Sequence, residues 1–106
     1  MTTFDEREQA FESKFSHDLE TLFKIKARRA RLLGQWAAGH MGLTGEDAEA
    51  YGRAIAAYDV DHKDGGQTVD RIMSDFGERG IDMSRHRVER EAEHLLQVAR
   101  DQLMQA

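Results

Sequence analysis

Four stretches and one scattered set of residues are of types that could do chemistry. Ser16, His17 and Asp18 are the residue types of a nucleophilic triad, but they are consecutive. Neighbouring side chains on a helix diverge by about 100°, so hydroxyl, imidazole and carboxylate cannot line up as a relay. As three weak helix formers they mark a soft point or a helix start instead. The stretch "DVDHKDGGQTVD" places Asp59, Asp61 and Asp70 at the first, third and twelfth positions of a calcium loop. Lys63 occupies the fifth, a ligand position, and Asp64 stands where the sharp turn needs glycine. It reads as a solvated loop. His17, His40, His62, His86 and His94 include no pair four apart, and the chain has no cysteine, so no zinc ligand set forms. "KIKARRAR" carries Lys24, Lys26, Arg28, Arg29 and Arg31 without an acid among them. It is either the solvated face of a core helix or a patch for an anion, a weakly bound nucleotide or an acidic partner. No glycine-rich phosphate loop and no interleaved aromatics accompany it. The last stretch, "MTTFDEREQAFESKF", puts Phe4, Phe11 and Phe15 on one helical face among Asp5, Glu6, Glu8 and Glu12, with Arg7 and Lys14. No constellation for catalysis, a metal or a cofactor is present, and the chain is not expected to be an enzyme.

The bulk numbers bound the rest. A chain of 106 residues is one small domain that buries roughly 60–68% of its unfolded surface. Apolar residues are 40% and charged residues 33%, a foldable balance, and the net charge of -5 gives no basic surface for nucleic acid. No signal-peptide pattern opens the chain and no stretch is apolar enough to insert in a membrane, so a cytoplasmic protein is expected.

The elements that must position these residues are helices. There is no proline, and nine glycines are the only strong punctuation. The first core helix runs through "HDLETLFKIKARRARLLGQWAAGHMG", with Leu19, Leu22, Phe23, Leu33, Trp36 and Ala37 as its stripe, and stops near Gly39 or Gly42. Thr44 is expected to cap a second helix, with Asp47 completing a weak capping box and Ala48, Tyr51, Ile55 and Tyr58 as its apolar face. Residues 59–66 read as loop. A short third helix carries Val69, Ile72, Met73 and Phe76 and ends at Gly77 or Gly80. Ser84 caps the fourth, Met83 staples onto Val88, and Val88, Ala92, Leu95, Leu96, Ala99 and Leu103 form the stripe. With no strand pattern anywhere, the class is all-α, an irregular four-helix bundle.

The N-terminal third also forms an ordered pattern. Phe4-Asp5-Glu6-Arg7-Glu8, Ala10, Glu12, Lys14 and Phe15 are followed by His17-Asp18, Phe23-Lys24, Ala27-Arg28-Arg29, Leu32-Leu33-Gly34 and Trp36-Ala37-Ala38. Residues 1–39 closely resemble the ζ subunit of the alphaproteobacterial F-type ATP synthase, an ATPase-inhibitor family. The chain departs from that pattern at Ala30, and its 59–66 loop lacks a proline. The resemblance implies a non-enzymatic regulator without cofactors. A four-helix body, residues 17–106, anchors on the catalytic head of the synthase. A mobile amphipathic arm, residues 1–16, enters a catalytic interface between the α, β and γ subunits and blocks rotation in the hydrolysis direction. The partner-contacting residues would be Phe4, Asp5, Glu6, Arg7, Glu8, Phe11, Glu12, Lys14 and Phe15. The protein would sit in the cytoplasm, peripheral to the inner membrane through the synthase. Elementary energetics agree with such an arm. A helix of about fourteen residues is marginal alone in water, and burying three Phe side chains offers roughly 5–9 kcal/mol gross against the costs of ordering and association. A tethered body offsets those costs by raising the effective concentration of the arm. Two other readings remain at this point: a weakly inhibitory or purely structural subunit of the same complex, and a bundle that binds a small ligand or nucleotide at Lys24–Arg31.

Overall fold

The computed structural model describes the backbone of residues 2–62 and 64–105 and the side chains of residues 19–62 and 64–104. Four helices, α1 (Thr2–His40), α2 (Gly45–Asp61), α3 (Gly65–Glu78) and α4 (Arg85–Gln105), account for the fold, and no strand occurs among the described residues. The chain is an all-α four-helix bundle. The expected arm over residues 1–16, its contact residues, and the Ser16–Asp18 run have side chains outside the described residues, as does Lys63.

Helix α1 packs on both α2 and α4, and the short α3 closes the bundle by touching α2 and α4. The α1–α2 crossing is unusually close because both helices present glycine there. A Cβ built on Gly34 would lie 2.8 Å from Gly52 Cα and 3.0 Å from Ile55 Cβ, and one on Gly52 would lie 2.8 Å from the Arg31 carbonyl oxygen. Backbone therefore rests on backbone, and Leu33, Ala37 and Ile55 close over the crossing into one cluster with Val69, Ile72, Phe76 and Val88. Trp36 meets Phe76 edge to face at 6.4 Å between ring centroids.

The stripes expected on α3 and α4 face inward: Val69, Ile72 and Phe76 are buried, as are Val88 and Ala99. On α1 the expectation fails at its N-terminal end. Leu33 and Ala37 are core, but Leu19, Leu22 and Phe23 are exposed, and the inward positions begin at Ile25. The reason is length. Helix α1 runs antiparallel to α2 and α4, whose last turns reach Phe23 at Val60 and Leu103. Among the described residues beyond that level, Leu22 and Leu19 are exposed.

The helix ends are set by glycine conformation. Gly42 and Gly80 both have positive φ, 82° and 69°, which L-residues adopt at a cost. At each, two backbone bonds close the helix. Leu43 N–H donates to the Ala38 carbonyl and Gly42 N–H to Gly39, while Ile81 N–H donates to Phe76 and Gly80 N–H to Gly77. This is the paired closure of a Schellman cap, so the second glycine of each expected pair ends the helix. Two local expectations are corrected. Thr44 precedes α2 in extended conformation, but its side chain makes no capping bond, and Glu46 instead pairs with Arg53 at 2.6 Å. The 59–66 loop shrinks to residues 62–64, because Asp64 caps α3 by accepting from Gly66 N–H at 2.9 Å. Ser84 does cap α4, its Oγ accepting from Arg87 N–H at 3.1 Å. Met83 packs on the cluster that contains Val88.

Candidate functional site

The end of the bundle from which α1 projects gathers the residues that the core does not use. Phe23 and Val60 line a groove of about 460 Å³, bordered by Lys26, Arg29, Asp59 and His62. Across the helix, Phe23 also borders Ala56 and Leu103, with Lys24, Arg28 and Arg31 beside them. The five-cation cluster is therefore divided by the curvature of α1. Lys26 and Arg29 border the groove with Val60 and His62, while Lys24, Arg28 and Arg31 border the one with Ala56 and Leu103. On that second side Lys24 lies 3.6 Å from Glu20, and Arg28 Nη1 donates to Gln102 Oε1 at 3.3 Å. Lys26, Arg29 and Arg31 have no ion-pair partner among the described residues. A patch split in this way does not converge on one small anion.

Below the groove a smaller cavity is lined by Arg29, Asp59, Thr68 and Glu89. Thr68 is buried, and its hydroxyl donates to Asp59 Oδ1 at 2.7 Å. Asp70 is engaged by Arg85. Two of the three carboxylates that resemble a calcium loop thus serve separate helix-to-helix contacts, and no group of three or more His, Cys, Asp or Glu could hold a metal among the described residues.

A second polar network joins α2 to α3. The Tyr51 hydroxyl donates to Asp75 Oδ2 at 2.6 Å, the same oxygen accepts from Arg71 Nε at 3.2 Å, and the Arg71 guanidinium lies 5.3 Å from the Tyr58 ring centroid. Burial, with the Asp75 carboxylate next to it, pushes the Tyr51 phenol well above its usual range. Asp75 and Arg71 were not singled out in the sequence, although their four-residue spacing on a helix is an ion-pair signal. Nothing in this network is aimed at a groove, and its role is to lock α3 onto α2.

A third charged surface lies on the outer face of α4, where His86, Arg87, Arg90, Glu91 and His94 are neighbours. No helix of the described residues is long and apolar enough to cross a membrane.

The helical body leaves an apolar, cation-edged end exposed at the level where its longest helix projects. A family model described as ATPase inhibitor subunit zeta matches residues 1–102, and the chain belongs to that family. The family is regulatory and non-catalytic, and its members are inhibitors associated with an ATP synthase. A search of curated proteins finds no match to the chain.

Proposed function

We propose that this chain inhibits ATP hydrolysis by the catalytic head of an F-type ATP synthase, with residues 1–16 as the blocking element and the bundle as its anchor. In this reading the arm inserts at a catalytic interface of the α, β and γ subunits. There Phe4, Phe11 and Phe15 are buried, and Asp5, Glu6, Glu8 and Glu12, with Arg7 and Lys14, meet polar groups at the margin. The protein then resides in the cytoplasm, peripheral to the inner membrane through the synthase, and requires no cofactor.

The observation that carries this reading is the extent of the family match, which includes the arm as well as the bundle. The bundle has a core cluster of its own, running from Leu33 and Ala37 through Ile55 and Phe76 to Val88, which supports its use as the anchor. The test is ATP hydrolysis by purified catalytic head with the full chain and with a version lacking residues 1–16. Inhibition by the first alone assigns the arm as the blocking element. If neither inhibits but both co-purify with the head, the protein is a structural subunit, the second reading. If neither binds the head, the partner is wrong.

A further inference from the structure

We propose that the exposed end of the bundle around Phe23 and Val60, edged by Lys26 and Arg29, is the surface by which the body docks on the synthase. Its target is an apolar patch flanked by carboxylates. The inference rests on the reading above and deepens it, because it extends the partner-binding face of α1 from the arm to Phe23 and adds the last turn of α2 to it.

The distribution of exposed apolar side chains carries the argument. Single exposed hydrophobic residues are ordinary on a protein surface. Here the large ones among the described residues are Leu19, Leu22, Phe23, Val60 and Met104, with Phe23 61% exposed, Val60 50% and Met104 67%. All five belong to one end of the molecule: three from adjacent turns of α1, one from the last turn of α2 and one from the last turn of α4. Phe23 shares one groove with Val60 and, on its other side, another with Ala56 and Leu103. The body's core is complete without any of these residues. An apolar end centred on an aromatic side chain has the composition of an interface centre.

Charge selects the occupant. Around the groove, Lys26 and Arg29 have no ion-pair partner among the described residues. The one carboxylate lining the groove, Asp59, accepts the neutral Thr68 hydroxyl and keeps its charge. Two cations against one carboxylate leave the rim net positive, so the complementary surface is acidic. A symmetric pairing of two such ends would set Lys26 and Arg29 against their own copies, and like charges across an interface suppress association. Among the described residues, the α4 face with Arg87 and Arg90 has cations but no exposed large apolar residue beside them.

The experiment is equilibrium binding of the full chain to purified synthase catalytic head, as wild type, Phe23→Asp, Val60→Asp, Lys26→Glu/Arg29→Glu, and Arg87→Glu/Arg90→Glu. The first three variants are expected to bind at least about tenfold more weakly. Wild-type binding is expected to weaken with added salt, and the α4 variant to bind as wild type. Phe23 and Val60 are exposed, so unchanged melting temperatures for their variants confirm that the fold is intact. Wild-type affinity in both the Phe23 and Val60 variants overturns the docking surface and leaves the inhibitory reading standing. Loss of binding in the α4 variant alone overturns it in favour of the other face. Sedimentation that shows self-association abolished by Phe23→Asp overturns it in favour of a second copy. If wild type does not bind the head, the inhibitory reading falls and this surface with it.

Discussion

Replacing Gly34 by alanine adds one methyl group where α1 and α2 touch through their backbones. Its Cβ would meet Gly52 Cα at 2.8 Å and Ile55 Cβ at 3.0 Å, whereas ordinary contact begins at 3.4 Å. Gly52 has no side chain to rotate away, so the helices must part by the difference, 3.4 minus 2.8, or 0.6 Å at this point. A gap of that size forfeits roughly a quarter or more of the dispersion energy of the neighbouring contacts, and overpacking of this kind costs about 1–3 kcal/mol. Alanine returns up to about 1 kcal/mol through its better helix propensity. The net expectation is a loss of about 1–2 kcal/mol, which lowers the melting temperature by about 4–16 °C for a domain of this size. Gly39→Ala is the control. It lies in the last turn of the same helix with nothing within 4 Å of the added Cβ, and it should be neutral or stabilising by about 0.5 kcal/mol. The assay is thermal and urea unfolding followed by circular dichroism. If Gly34→Ala is as stable as wild type, the helices do not cross in backbone contact and the reasoning fails.

Three further predictions concern the rest of the body. Tyr51→Phe removes the hydrogen bond to Asp75 and should cost about 1–2 kcal/mol near neutral pH, measured by urea unfolding. Because the folded phenol's pKa is raised above the ordinary value of about 10, its contribution is complete below that pH and is lost as pH rises through the folded value. The stability gap between wild type and Tyr51→Phe should therefore shrink between about pH 10 and pH 12, and a gap that widens there contradicts the assignment. Ser84→Ala should cost about 1 kcal/mol through its lost cap. Thr44→Ala, whose side chain caps nothing, should fall within about 0.5 kcal/mol of wild type, and equal losses would refute the distinction. Gly80→Ala should cost about 1–2 kcal/mol for its left-handed backbone, while Gly77→Ala, with open space around it, should cost nothing in the same unfolding assay.

The two threonine and serine positions show how far local pattern reaches. Both precede a helix, and both are good capping residues by type. Ser84 makes its bond and Thr44 does not, a difference that depends on where the following backbone N–H groups point. Leu19, Leu22 and Phe23 make the same point at larger scale. Their spacing is as regular as that of Leu33 and Ala37, and spacing reports only that a face is apolar, not what covers it. The partners of Thr68 and Tyr51 were equally hidden, because Asp59 and Asp75 are 9 and 24 residues away along the chain.

By itself the sequence determined the helices, since their periodicity, glycine stops and the Ser84 cap are local physics. It also determined the family, through an ordered pattern of side chains across the first 39 residues. Tertiary structure alone decided which apolar faces become core, because the last turns of α2 and α4 meet α1 at Phe23 and leave Leu22 and Leu19 exposed. It alone brought Gly34 and Gly52 into contact, since two glycines 18 positions apart in the sequence acquire a shared purpose only when their helices cross.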